Sequence, residues 1–201
     1  VASFSIGPVA YFTLAWSGLD LPLGGNFIIS CMTPVTSALE RDLTRLPEFN
    51  IAVFSFLLNF VWEFLQAPTY AGMVELGHWD GIKLCTGATV GDVGFALTAF
   101  WVTSLVARSR GWILQPTSSQ MLVFIGVGVA LTVGFEYYYT NISLRWTYSE
   151  LMPLVPPLGT GLSPLLQWLF IPLLVVWFTR RQLCADGTIT ASRCDGPGDA
   201  R

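Results

Sequence analysis

The sequence predicts an all-α, polytopic transmembrane helix bundle with four spans and a candidate fifth. Three observations carry that prediction. The chain of 201 residues is 53% hydrophobic and only 11% charged, whereas a soluble domain carries about 25% charged residues. Its apolar stretches recur at close to the roughly 20 residues that a helix needs to cross the hydrocarbon core. Its arginines fall at alternate ends of those stretches. The net charge is −3 with no basic stripe, so nucleic acid is not expected as a partner.

Residues 1–17 are apolar and uncharged, with Pro8 inside them. They form the candidate fifth span and lack the positively charged start of a signal peptide. Residues 20–25 (DLPLGG) read as a turn, and 26–39 as an interfacial or re-entrant segment. The charged run 40–48 (ERDLTRLPE) completes an N-terminal unit, 1–49. A four-helix transmembrane core is expected over 50–183. Its first span covers 51 to about 70 and stops near Pro68. A mixed loop, 71–83, leads to the second span, 84–107, ended by Arg108 and Arg110. The third span is 121–139. A long loop, 141–161, rich in Trp, Tyr and Pro, precedes the last span, 162–178, which Arg180 and Arg181 end. Residues 184–201 read as a disordered cytoplasmic tail.

Arg41/Arg45, Arg108/Arg110 and Arg180/Arg181 mark one side as cytoplasmic, and the C-terminus lies there. The 71–83 and 141–161 loops then share the outer side. Cys31, Cys85, Cys184 and Cys194 show no metal-site spacing. Spacing alone allows a Cys184–Cys194 disulfide, but the cytoplasmic assignment makes free thiols the expectation.

Three carboxylates, Glu63, Asp92 and Glu136, sit inside spans that hold no Lys or Arg. An ionised Asp at the bilayer centre costs roughly 2.5–3.5 kcal/mol on insertion scales, and such groups turn toward a bundle interior or a wet cavity. At 1.5 Å per residue, Glu63 lies roughly 10 Å, Asp92 roughly 12 Å and Glu136 roughly 5 Å from the outer ends of their spans. All three therefore fall in the outer half. Asn59, Glu63 and Gln66 follow i, i+4, i+7 spacing with Trp62 beside them. Cys85, Thr89 and Asp92 repeat that spacing. Polar stripes turn away from lipid, so these should meet. The outer loops supply His78 and Lys83 on one side and Arg145, Trp146 and Tyr148 on the other. Lys83 and Arg145 are the nearest cations by sequence. The run 152–164 (MPLVPPLGTGLSP) is too rich in proline for a regular helix and fits a lid or re-entrant segment.

The segments NFVWEFLQAP, HWDGIKLCTGATVGD and WTYSELMPLVPPLGTGLSPLLQW resemble a family of small bacterial polytopic inner-membrane proteins. The resemblance covers about 50–183. It implies a multi-pass bundle in a bacterial inner membrane and groups the motif residues together, without implying an activity.

Each acid alone also fits a purely structural part, as interhelical glue averaging about 0.6 kcal/mol per bond. Taken together, they point to an outer-leaflet pocket in which Glu63, Asp92 and Glu136 are candidate catalytic acids and bases. The candidate ligand-binding residues are Asn59, Trp62, Gln66, His78, Lys83, Cys85, Thr89, Arg145, Trp146 and Tyr148. A lipid-like or isoprenoid ligand suits such a pocket. A membrane isomerase or cyclase-type enzyme is one reading. An accessory or assembly subunit holding lipid, quinone or pigment is a second, and a small proton, ion or solute transporter a third. The absence of an internal repeat weighs against the third. A membrane-protein partner or a homo-oligomer stays open. No phosphate-binding, dinucleotide or metal motif is present, so neither cofactor nor metal is expected.

Overall fold

The computed structural model describes residues 43–157 and 159–185. The candidate fifth span, the 20–39 segment and the tail beyond 185 lie outside the described residues. Four helices carry the fold: α1 Pro47–Gln66, α2 His78–Ala107, α3 Ser118–Tyr137 and α4 Leu162–Ala185. All four are long and apolar enough to cross a membrane. The protein is a multi-pass, all-α membrane bundle.

Local chemistry sets the helix ends. Pro47 starts α1 at a position where its missing N–H costs nothing, with Glu48 in the first turn. Pro68 tightens the exit into a 3-10 turn, Ala67–Thr69. Arg108 stops α2 in the left-handed conformation, its N–H returning to Ser104 and Leu105 carbonyls. Thr117 and Gln120 close a reciprocal capping box on α3. The second helix differs from expectation at its start. It begins at His78 rather than 84, so His78, Asp80 and Lys83 are helical rather than loop residues. Gly77 provides the break that sequence composition placed later.

The main helix contacts run α1–α2, α2–α3, α3–α4 and α4–α1, an up-down-up-down ring. One end of the ring gathers the start of α1, the end of α2 and the end of α4, and with them Arg45, Arg108, Arg110, Arg180 and Arg181. The other, the loop end, carries the 70–77 and 143–161 connections. Inside the ring, Ile51, Phe100, Phe124, Ile171 and Val175 are buried together. Trp112 and Ile113, from a 3-10 turn at Arg110–Leu114, plug the arginine end. There Trp112 Nε1 donates to Ser104 Oγ at 3.1 Å, and Arg110 pairs with Glu48 while lying over Trp101. Cys184 is disulfide-bonded, which corrects the free-thiol expectation. That expectation rested on the compartment assigned to the tail, and compartment does not constrain geometry.

Gly128 leaves room for a side chain of the neighbouring helix. A Cβ there would overlap the Trp168 ring carbons of α4. The Trp168 indole N–H has no hydrogen-bond partner, so the ring is held by packing on that glycine. Gly128→Ala is expected to lower stability by about 1–3 kcal/mol through overpacking, read as a lower thermal midpoint in detergent. An unchanged midpoint would mean that the α3–α4 contact is loose.

Candidate functional site

The polar stripe of α1 does face inward. Ser55, Asn59 and Gln66 are buried, while Leu57, Val61 and Leu65 are exposed on the opposite side. This inverts a soluble helix, as expected where lipid replaces water. The stripe meets α2 and α4 at Gln167, a buried amide near the start of α4. Gln167 Nε2 donates to Asn59 Oδ1 at 2.8 Å, to Asp92 Oδ2 at 2.9 Å and to Glu63 Oε1 at 3.3 Å. Its carbonyl accepts from Gln66 Nε2 at 3.3 Å, and Gln66 also donates to Glu63 at 2.7 Å. Ser163 donates to Gln66 Oε1 at 2.8 Å and accepts from Trp62 Nε1 at 3.3 Å. Asn59 Nδ2 spends its two hydrogens on the Ser55 carbonyl and hydroxyl.

The Glu63 and Asp92 carboxyls meet at one amide, since Gln167 Nε2 reaches both. Glu63 Oε1 takes its short hydrogen bond from Gln66 Nε2, which leaves the two Gln167 hydrogens for Asn59 and Asp92. Every donor named here is neutral. Lys83 instead pairs with Asp80 at 3.0 Å on the surface, and Arg145 lies over the Tyr139 ring at 5.6 Å. Proximity in sequence did not bring either cation to the acids.

Glu136 forms a second centre near the loop end. Its carboxylate accepts from Tyr70 Oη at 3.1 Å, from Trp146 Nε1 at 3.5 Å and from Tyr148 Oη. Tyr148 Oη in turn accepts the Gly161 N–H at 3.0 Å. A bridge between Tyr70 and Tyr148 joins the two loops, with Ala71 N–H to Thr147 C=O and Ser149 N–H to Thr69 C=O, both at 2.9 Å. The proline-rich run forms a two-residue hairpin, Leu154–Val155 against Thr160–Gly161. A Cβ on Gly161 would stand 2.8 Å from Met152 Sδ and 3.0 Å from Tyr148 Cε1, so a larger residue there would have to displace the Met152 side chain. Glu136 thereby clasps the long loop to the bundle.

Burial, with the Glu136 carboxyl alongside, holds the Tyr70 and Tyr148 hydroxyls well above the ordinary tyrosine range. Both remain donors where an exposed tyrosine ionises. The unfolded chain ionises first, so this contribution is complete below about pH 10 and is lost as pH rises beyond it. A Tyr70→Phe/Tyr148→Phe variant should show a flatter fall of unfolding midpoint above that pH. An equal slope in both proteins would remove the tyrosines from the alkaline transition.

Of the residues singled out by sequence, Asn59, Glu63, Gln66 and Asp92 share one network, with Trp62 attached through Ser163. Cys85 Sγ lies 4.0 Å from the Glu63 carbonyl. Thr89 is buried and bonds the Cys85 carbonyl of its own helix at 2.8 Å. Trp146 and Tyr148 belong to the Glu136 clasp. His78 is exposed and stacks edge-on against Trp79. Gln167, Ser163, Ser55 and Tyr70 were not singled out. Gln167 carried a usable signal, being the one amide in the apolar stretch 162–178. Among the described residues no group of three His, Cys, Asp or Glu is placed to hold a metal. A small cavity of about 10 Å³, lined by Ser55, Asn59, Gln167, Trp168 and Pro172 among others, is about the size of one water. Searches against protein families, curated proteins and solved structures find no match.

Proposed function

We propose that this membrane protein uses the Glu63–Asp92 pair as an acid/base centre acting on a lipid-like or isoprenoid ligand. The observation that carries the reading is the pair itself. Two carboxyls meet at one amide inside an apolar bundle, and each donor shown to reach them is a neutral amide. One member can protonate an alkene carbon of the ligand. The other can remove a proton from a neighbouring carbon, so the bond shifts with no net change in protons. Gln167 and Asn59 would fix both carboxyls, and the Trp62 ring offers a face to the cationic intermediate. Both acids are only half-buried, whereas the interior cavity is far too small for a lipid. The ligand would therefore approach from the open side of the pair. Glu136, whose oxygens are occupied by three donors, serves as the clasp of the long loop.

Transport is less well supported. Toward the arginine end Thr103 and Ser104 donate to their own helix at 2.8 Å, and Phe100, Phe124 and Ile51 fill the core. Five arginines at one end against Lys83 and Arg145 at the other support a cytoplasmic C-terminal side. The motif resemblance supports a bacterial inner membrane.

The test is mass spectrometry of small molecules co-extracted with the gently purified protein, beside a Glu63→Gln/Asp92→Asn variant. A lipid or isoprenoid enriched with the wild type and lost in the variant is the expected result. Incubating that lipid with protein in D₂O should then place deuterium on it. No enriched species, with the variant equally stable, would sink the proposal.

A further inference from the structure

We infer that the loop end is a membrane-embedded cap, with the bilayer's headgroup layer as its occupant. The two connections at this end form one unit, because the Tyr70–Tyr148 bridge and the Ser149–Pro68 hydrogen bond, 3.2 Å, join them. Connections between spans ordinarily present polar side chains to water. This unit exposes apolar ones from both loops: Val74 73%, Leu144 69%, Leu151 68% and Leu154 55%, with Trp79 at 72% on the adjoining turn of α2. Glu75, Arg145 and Glu150 are exposed among them. Mixed charge and apolar bulk suit an interface, where aliphatic and aromatic groups sink and charged ends reach upward.

Depth supports the same occupant. Cys85 lies against the backbone of Glu63, which puts these two residues at one level. From Cys85, α2 continues seven residues to His78, about 10 Å further out. The attachment of the loops at Thr69–Ala71 is about two turns, or about 10 Å, beyond Glu63, so the cap joins the bundle level with the outer end of α2. With 30 residues, α2 is about 45 Å long. That matches the bilayer with its headgroups, about 40–45 Å, rather than the hydrocarbon alone. The cap therefore lies at headgroup depth. This inference rests on the four spans alone and is independent of the acid/base proposal.

Nitroxide labels test it. Leu144→Cys, Leu151→Cys and Val74→Cys are labelled in the full chain reconstituted in phosphatidylethanolamine/phosphatidylglycerol vesicles. Glu150→Cys serves as the wet reference, Leu57→Cys as the mid-span reference, and unsubstituted protein gives the background labelling. Collisions with oxygen and with a water-soluble nickel chelate are compared. The expected result is an oxygen-to-nickel ratio at 144, 151 and 74 several-fold above that at 150 and below that at 57. Ratios equal to that at 150 would put the cap in water and overturn the inference. Labels shielded from both reagents would show a protein surface in place of lipid, which overturns it equally. Loss of ligand binding in Glu63→Gln/Asp92→Asn would leave these ratios unchanged.

Discussion

Replacing Gln167 by Leu is expected to lower the stability of the bundle more than an average apolar replacement of an interhelical polar group. The amide joins three helices at one point: Asn59 and Glu63 from α1, Asp92 from α2, and itself from α4. Leucine fits the space but strands the Asn59 carbonyl and removes a donor from each carboxyl. Stranded buried acceptors cost about 1–3 kcal/mol each, whereas an average interhelical bond in a membrane contributes only about 0.6 kcal/mol. Four bonds meeting on one side chain should exceed that average. Gln167→Glu is the sharper variant, because it keeps the shape while adding a third carboxyl and removing both amide hydrogens. The expected order of unfolding midpoints, measured in detergent or bicelles, is wild type, then Leu, then Glu. A Leu variant as stable as the wild type would mean that the network contributes no net stability, and that the acids are held by helix packing alone.

The reach of sequence reasoning is visible in these same residues. The four spans were legible because apolar length is a strong signal and most of their ends carry a proline, a glycine or an arginine. The α1 stripe was legible because helical spacing fixes azimuth within one helix. Azimuth between helices was not. Nothing in α4 announces that Gln167 points at Glu63 and Asp92, since that depends on how the ring closes. As the one amide in the apolar stretch 162–178, it was still the same kind of signal as the three acids. Lys83 and Arg145 show the opposite error. Long flexible side chains near an acid in sequence find other partners, Asp80 one turn away and the Tyr139 ring. The early start of α2 was hidden because His78 to Lys83 is polar, which reads as loop, although a helix leaving the hydrocarbon has every reason to become polar.

The Glu136 clasp yields the second large effect, and one that separates holding a loop from doing chemistry. Glu136→Leu strands three donors at once: the Tyr70 and Tyr148 hydroxyls and the Trp146 indole. At about 1–3 kcal/mol for each buried group left unpaired, part of the loss is relieved if the loop lifts and its donors reach water or headgroups. Faster amide exchange across 143–161 is therefore expected, with a smaller fall in global midpoint than Gln167→Leu gives. Glu136→Gln keeps one oxygen acceptor but turns an N–H₂ toward a former donor, so its exchange should be intermediate. Unchanged exchange in the Leu variant would show that the Tyr70–Tyr148 bridge and the Tyr139–Trp146 stack, 4.4 Å between ring centres, hold the loop unaided. The Gln variant decides the remaining question. If its loop stays protected while turnover of the co-extracted lipid stops, Glu136 joins Glu63 and Asp92 in the chemistry. If turnover falls only in step with loop exchange, its part is to keep the cap closed over a pair of acids that react on their own.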